Sequence, residues 1–223
     1  MVMNKFLSCT EAVEMIPDGA LIMIGGFMGV GSPHRLIAEM VRQGRKDLTV
    51  IANDTGTPGF GIGQLVEARR IRKLIASHIG LNPETQRQVI SGEMEAELCP
   101  QGSLAERIRA GGFGLGGILT PTGIGTIVAE GKQVIEVDGK QYLLEKPLTA
   151  DFALIAAHRS DYRGNLEYSL TARNFNIVMA TAGRTVIAEP EHIVPTGVIP
   201  PDAVATPFVC VHHIIGRAGT NGR

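Results

Sequence analysis

The sequence of 223 residues contains no tryptophan, and aromatic residues make up only 4% of it. Its three cysteines are an odd number without a Cys-x-x-Cys pair, which argues against a disulfide framework and a zinc knuckle. No run reaches the roughly 18 consecutive apolar residues that a membrane-spanning helix needs. The first ten residues hold one lysine and no long apolar segment, unlike a secretory signal. We therefore expect a cytoplasmic protein that does not associate with membranes.

Charge of one sign is also lacking. Lysine and arginine total 21, aspartate and glutamate total 22, and the formal net charge is −1. A surface that binds nucleic acid needs clustered positive charge, so no nucleic-acid partner is expected. The six histidines include no His-x-x-x-His pair and none with ligand spacing to a cysteine, so no metal site is expected either. Glycine, by contrast, is abundant at 28 residues, which indicates tight turns and close backbone approaches.

Apolar runs and helical patterns alternate along the first half of the chain. Strands are predicted at 20–24, 48–52, 73–76 and 97–99. Helices are predicted to begin at the Ser8 capping box and at Ser32-Pro33, with Ser32 as N-cap, and to span 62–70, 83–90 after an Asn82 cap, and 103–110. This alternation predicts an α/β fold with a mostly parallel sheet and helices on both faces.

The second half of the chain is richer in strands. The pair Asp138-Gly139 predicts a hairpin between strands at 134–137 and 141–144. Further strands are predicted at 152–156, 185–188 and 208–211. We expect residues 1–223 to form one α/β domain with this β-rich elaboration, and residues 216–223 to form a frayed tail.

The most informative local motif is a glycine loop, Gly25-Gly26-Phe27-Met28-Gly29-Val30-Gly31, between a buried strand and a helix. Ligands of α/β folds bind at the carboxyl ends of strands, facing helix N-termini. Without Cβ atoms, the glycines would let a phosphate, a pantetheine chain or an acyl oxygen reach the backbone N–H groups. A tight turn without a ligand is the alternative. The loop lacks the Gly-Lys-Ser/Thr ending of a P-loop.

Polar side chains follow two other predicted strands. Asn53-Asp54 comes after the strand at 48–52, and Gln101 comes after Cys99-Pro100. Because the carboxyl ends of parallel strands share one edge, we expect these residues to lie near the glycine loop. An amide there can donate a hydrogen bond to an acyl oxygen or a carboxylate. Simple turn formation by Asn and Asp is the alternative.

These motifs together resemble the family I coenzyme A transferases. Asp18-Gly19 followed by Gly25-Gly26-Phe27 and Gly31-x-Pro33 has the spacing of the first family signature. Five further blocks agree in order: LTVIANDT at 48–55, SHIGLNPET at 77–85, PQGSLAERIRAGG at 100–112, PTGIGTIVAEGK at 121–132 and TARNF at 171–175. Within the family, the chain is similar to the α, or A, subunit of the acetate/butyrate–acetoacetate (3-oxoacid) type.

The resemblance implies ping-pong exchange of coenzyme A through a glutamyl-CoA thioester. The family's nucleophilic glutamate lies in a Ser-Glu-Asn-Gly motif of the β subunit, and this sequence lacks that motif. The chain should therefore hold no nucleophile, be inactive alone, and need a β subunit in an α2β2 or larger assembly. The implied supporting residues are Asn53 and Gln101, and the implied coenzyme A loop is Gly25, Gly26, Phe27, Met28, Gly29, Val30 and Gly31. The resemblance also implies that coenzyme A acts as a substrate and that no cofactor is bound permanently.

The acyl substrate is suggested by the segment 56–61, GTPGFG, which carries no arginine or lysine to hold a second carboxylate. This favours monocarboxylates such as acetate, butyrate and acetoacetate. One alternative function is a non-catalytic module of the same fold that senses acyl-CoA or a sugar phosphate. Another is a self-sufficient isomerase or hydrolase with Asp54 or a glutamate as base.

Overall fold

The computed structural model describes residues 5–216. Its strands are β1 (Phe6–Leu7), β2 (Leu21–Ile24), β3 (Leu48–Ala52), β4 (Ile71–Ala76), β5 (Glu95–Leu98), β6 (Ile118–Thr120), β7 (Val134–Val137), β8 (Lys140–Glu145), β9 (Ala150–Asp161), β10 (Leu166–Glu167), β11 (Gly183–Val194) and β12 (His213–Ile215). Its α-helices are α1 (Cys9–Glu14), α2 (His34–Arg42), α3 (Gly63–Glu67), α4 (Pro83–Ile90), α5 (Gln101–Gly112) and α6 (Asn176–Ala182). Short 3₁₀ helices lie at Ile127–Ala129, Leu170–Arg173, Pro201–Ala203 and Phe208–Cys210.

The main sheet has nine strands in the order β1-β12-β11-β9-β2-β3-β4-β5, with β10 beside β9. Only the β9–β10 pair is antiparallel, so the predicted, mostly parallel sheet is confirmed. A smaller antiparallel sheet, β6-β8-β7, forms the β-rich elaboration. Its hairpin turns at Asp138 and Gly139, whose φ angles of 49° and 72° are those of a type I′ turn.

Both faces of the main sheet are covered by helices, as the sequence predicted. Successive strand residues point to opposite faces. Accordingly, Ile22 and Ile24 join a buried cluster with α1, α2 and α3, whereas Met23 joins a second cluster with α5 and α6. All five residues of β3 are buried, which is typical of a central strand in such a sheet. These central strands give the glycine loop and Asn53 a fixed base.

One predicted strand was wrong, one helix had no prediction, and two predicted strands are longer than expected. The apolar run at 208–211 is a 3₁₀ helix after Pro207, and the strand lies further on at β12. Helix α6 was not predicted at all. Strands β9 and β11 each span 12 residues, far beyond the predicted 152–156 and 185–188. Strand β11 continues through Pro190, which cannot donate a ladder hydrogen bond and therefore resembles a strand end in the sequence.

Within residues 5–216, no helix has the length and apolar character needed to cross a bilayer. The Gly216 N–H donates to Leu7 O at 3.0 Å. The rest of the predicted frayed tail, residues 217–223, lies outside the described residues.

Candidate active site

The glycine loop leaves β2 and folds into a tight hairpin. Phe27 and Val30 exchange two backbone hydrogen bonds of 3.0 and 2.9 Å. Between them, Met28 and Gly29 have φ angles of 51° and 82°, which makes the hairpin a type I′ turn. The side chains of Phe27, Met28 and Val30 are 40–49% exposed. The loop therefore presents an apolar tip at the carboxyl end of the central strands.

The glycines of this loop lie against the protein's own side chains. A Cβ on Gly25 would strike the Asn176 side chain, and a Cβ on Gly29 would strike the Phe60 ring. Gly26 and Gly31 are similarly close to Ser32 and Ala172. At these positions the space left by the missing Cβ atoms is therefore filled by the protein's own side chains. The glycines allow dense packing under the exposed tip.

The N-terminus of α2 is also organised differently from the prediction. Pro33, not Ser32, is the N-cap, and no side chain of its own segment caps the helix. Instead, the Glu189 carboxylate of β11 accepts the N–H groups of Arg35 at 3.0 Å and Leu36 at 2.9 Å. A carboxylate thus already satisfies the partial positive charge of this helix end. The N–H groups of Arg35 and Leu36 therefore already have an internal acceptor.

Asp54 joins the glycine loop to the neighbouring strand. This carboxylate is only 5% exposed. Its Oδ2 accepts hydrogen bonds from Met28 N at 2.9 Å and Asn53 Nδ2 at 2.7 Å. Its Oδ1 accepts one from Gly56 N at 2.7 Å. Asp54 therefore fixes the loop backbone and the Asn53 amide relative to each other.

Asn53 and Gln101 lie side by side, as their places after β3 and β5 predicted. Gln101 Nε2 donates to Asn53 Oδ1 at 2.7 Å, and Ser77 Oγ donates to the same oxygen at 3.0 Å. Asn53 is 2% exposed, whereas Gln101 begins α5 and is exposed. A side-chain amide nitrogen carries two donors, and the bond to Asn53 uses one of those on Gln101. Gln101 can thus donate its second N–H to a ligand while Asn53 holds the Gln101 amide in place.

Two asparagines that were given no role in the sequence analysis support the loop from the other side. Asn174 Oδ1 accepts the Gly26 N–H at 3.2 Å, and its Nδ2 donates to Val30 O at 3.0 Å. Asn176 Nδ2 donates to Gly31 O at 2.9 Å. Asn174 belongs to the TARNF block, so the family pattern marked the segment but not its contact. The contact joins residues more than 140 positions apart.

A cavity of about 650 Å³ lies beside the loop, within the usual size range of small-molecule sites. His34 borders it, with Nε2 3.0 Å from Gly29 O and its ring 4.6 Å from that of Phe60. Neither Asn53 nor Gln101 lines this cavity. The loop therefore separates an open cavity from the buried amide network.

The cysteine near the network is not an activated nucleophile. Cys99 lies two residues before Gln101 and is buried. Burial raises the pKa of its thiol above the ordinary value, despite a 3.5 Å contact with Arg107 Nη1. Burial likewise raises the thiol pKa of Cys9 and Cys210. All three thiols therefore stay protonated at neutral pH.

Comparison with known proteins decides the family. The family model described as coenzyme A transferase matches residues 6–217. The chain belongs to this family. It is 54% identical to the acetate CoA-transferase subunit alpha of Escherichia coli, over 95% of this chain and 96% of that one. It is 49% identical to the acetoacetyl-CoA:acetate/butyrate CoA transferase alpha subunit of Clostridium acetobutylicum, over 95% and 97% of the two chains.

The fold is that of a solved coenzyme A transferase. A crystal structure of an acyl-CoA transferase from E. coli, in a thioester complex with CoA, superposes with a TM-score of 0.85 at 24% identity. The superposition covers 96% of this chain but only 47% of that one, so this chain spans about half of the solved transferase. The family resemblance inferred from the sequence is confirmed. The chain is a CoA-transferase subunit, and these comparisons favour a transferase over a sensor.

Proposed function

We propose that this chain is the α half of an active site that moves coenzyme A between a short-chain acyl-CoA and a free carboxylate such as acetate or acetoacetate. The observation that carries the proposal is a continuous hydrogen-bond network. It runs from the exposed tip at Met28 through Asp54 and Asn53 to the exposed amide of Gln101. The network ends at the Gln101 amide, a positioned hydrogen-bond donor that is not itself a nucleophile. This suits the half of the site that does not supply the nucleophile.

The proposed chemistry uses a glutamate of a β subunit. Its carboxylate attacks the thioester carbonyl, the C–S bond breaks, and an acyl–glutamyl anhydride and free CoA thiolate form. The thiolate then attacks the glutamyl carbonyl, which releases the first carboxylate and leaves a glutamyl-CoA thioester. A second carboxylate reverses these steps and carries CoA away. Each attack places negative charge on a carbonyl oxygen, which a fixed amide donor stabilises.

Gln101 supplies that donor in the proposal, and Asn53 orients it. The buried Asn53 Oδ1 takes one Gln101 N–H, and this bond fixes the amide plane. The remaining Gln101 N–H then points its dipole at the reacting acyl group. Because this N–H is oriented before the reaction begins, no free energy is spent on reorienting it when negative charge develops on the oxygen.

The glycine loop has the complementary role of contacting coenzyme A. Its apolar side chains Phe27, Met28 and Val30 are exposed at the tip, where they offer surface to the pantetheine chain. The helix end beneath the loop is already capped by Glu189, so α2 is assigned no phosphate of coenzyme A. Contact with coenzyme A is therefore assigned to side chains of the tip and not to the glycines.

Substrate and location form the finer part of the proposal. The segment 56–61 carries no cation, and its Phe60 is 47% exposed, which suits a monocarboxylate better than a dicarboxylate. Both relatives described above carry acetate in their names. A β subunit, in an α2β2 or larger assembly, completes the enzyme. The three free cysteines suit a reducing cytoplasm.

The test is a transferase assay with acetoacetyl-CoA as donor and acetate as acceptor, with and without a β subunit that carries the Ser-Glu-Asn-Gly motif. Turnover should require both chains. Gln101→Leu should lower kcat about 100- to 1,000-fold, the usual effect of losing one oxyanion donor. The control Gln141→Leu changes an exposed glutamine of β8. Turnover by this chain alone, or an unaffected Gln101→Leu enzyme, contradicts the proposal. A higher kcat/KM for succinate than for acetate contradicts only its substrate part.

A further inference from the structure

Metal-ligating side chains meet near the carboxyl ends of β9 and β11. The two strands run in parallel and in register, with Arg159 opposite His192. The register therefore puts Glu191 level with His158, on strands only about 4.8 Å apart. His158 Nδ1 is 2.9 Å from Glu191 Oε2. The strand pairing thus brings together two groups that are 33 residues apart in sequence.

His192 completes a cluster of three. Its ring meets the His158 ring edge-on, with 5.3 Å between centroids. One ligand atom from each of His158, Glu191 and His192 lies within 4.8 Å of the others. Around a single Zn²⁺ such atoms lie roughly 3–4 Å apart, since the bonds are about 2.0–2.2 Å long. Small rotations of these partly exposed side chains close that gap.

We propose that His158, Glu191 and His192 bind one divalent transition-metal ion, with Zn²⁺ the best match. Two imidazoles and one carboxylate form a set of nitrogen and oxygen ligands that Zn²⁺ accepts, and they leave a fourth position for water or a partner's ligand. The ion has open access, because Glu191 and His192 line both the 650 Å³ cavity and a second cavity of about 450 Å³.

The charges around the cluster support this assignment. Two cations near the cluster are paired with other carboxylates: Arg159, opposite His192, with Glu167 of β10, and Arg35 with Glu189. Glu189, two residues before Glu191, is held by the start of α2. Glu191 bonds to His158 and is 70% exposed, so it is available to an ion. A simple His158–Glu191 hydrogen bond does not require His192 to approach as well.

Local spacing explains why the sequence analysis expected no metal site. No histidine has ligand spacing to a neighbour along the chain, whereas this cluster forms across a strand pair. The amide network does not line either cavity. The 650 Å³ cavity also borders the glycine loop, but metal binding can be measured on this chain without turnover.

The test is titration of the purified full-length chain with ZnCl₂ by calorimetry, and with CoCl₂ by visible spectroscopy. We expect one saturable site per chain and Co²⁺ absorption bands typical of low coordination. His158→Ala and Glu191→Gln should each weaken binding by at least about tenfold, since even loss of an outer hydrogen-bond partner costs 10- to 100-fold. His78→Ala, which removes a histidine outside the cluster, should bind as the unmodified chain does.

A second measurement separates a lost ligand from a misfolded variant. Zn²⁺ should raise the Tm of the unmodified chain and of His78→Ala but not of His158→Ala, provided that all show the same circular dichroism. Addition of Zn²⁺ should also shift the imidazole NMR signals of His158 and His192 together. The proposal is overturned if no one-to-one binding is seen, or if His158→Ala binds Zn²⁺ as tightly as the unmodified chain.

Discussion

Replacing the buried Asp54 by asparagine should weaken both the fold and the reaction. Asp54 accepts three N–H groups, two at Oδ2 and one at Oδ1. An asparagine has only one accepting oxygen, and its NH₂ group takes the place of the other. The NH₂ must therefore face either Gly56 N alone or both Met28 N and Asn53 Nδ2. The less costly orientation faces Gly56 N and loses that bond. A hydrogen bond to a charged group is worth about 1.5–3 kcal/mol, so we expect the free energy of unfolding to fall by about that amount.

The effect on catalysis follows from the same geometry. Without the bond to Gly56 N, the side chain at position 54 is held from one side only, so it no longer fixes Asn53, which orients Gln101, relative to the glycine loop. A displacement of about 1 Å at a reacting centre can lower the rate about 100-fold, so kcat of the assembled enzyme should fall by about that factor.

Urea unfolding followed by circular dichroism measures the stability of Asp54→Asn, and the transferase assay with the β subunit measures its kcat. Asp202→Asn, at an exposed aspartate in a 3₁₀ helix, is the matched control. If Asp54→Asn unfolds within about 0.5 kcal/mol of the unmodified chain and keeps its kcat, the reasoning is refuted, because surface substitutions alone cause changes of that size.

Two further predictions concern packing and acid stability. Gly29→Ala should lower the free energy of unfolding by about 1–3 kcal/mol more than Gly19→Ala. Both positions have positive φ, but only at Gly29 would the added Cβ collide with a neighbour, the Phe60 ring. Equal losses in the free energy of unfolding, measured with urea, would contradict a role for that contact. Arg87 lowers the pKa of the Glu84 carboxyl from 4.5 to about 2. A lowered carboxyl pKa adds stability above pH 4.5, and this stability is lost as the pH falls towards 2. The Tm of Arg87→Met should therefore fall less over this pH range than the Tm of the unmodified chain. An equal fall in Tm for both chains would contradict the pairing of Arg87 with Glu84.

Sequence reasoning succeeded where the signal is local. The Ser8 capping box, the Asn82 cap and the Asp138-Gly139 turn each involve residues within a few positions, and all three are present. The order of apolar runs also predicted the parallel sheet, because each central strand is buried on both faces. The strand ends then placed Asn53 and Gln101 at one edge.

Contacts between distant segments were beyond the sequence patterns. The cap of α2 comes from Glu189, more than 150 residues later. Asn174 and Asn176, which hold the glycine loop, are similarly distant from it in sequence. No local pattern distinguishes such partners from other polar residues, since their role depends on which strands become neighbours. For the same reason, the sequence did not predict the contact between His158 and Glu191.

The central claim is that this chain supports a thioester exchange whose nucleophile lies on another subunit. Intact-mass analysis after borohydride treatment tests it most directly, because borohydride reduces a glutamyl thioester to an alcohol and leaves a permanent mass change. Each chain is incubated with acetoacetyl-CoA, alone and together, before reduction. The account predicts a mass change on the β subunit only when both chains are present. A mass change on this chain when it is incubated alone would contradict it.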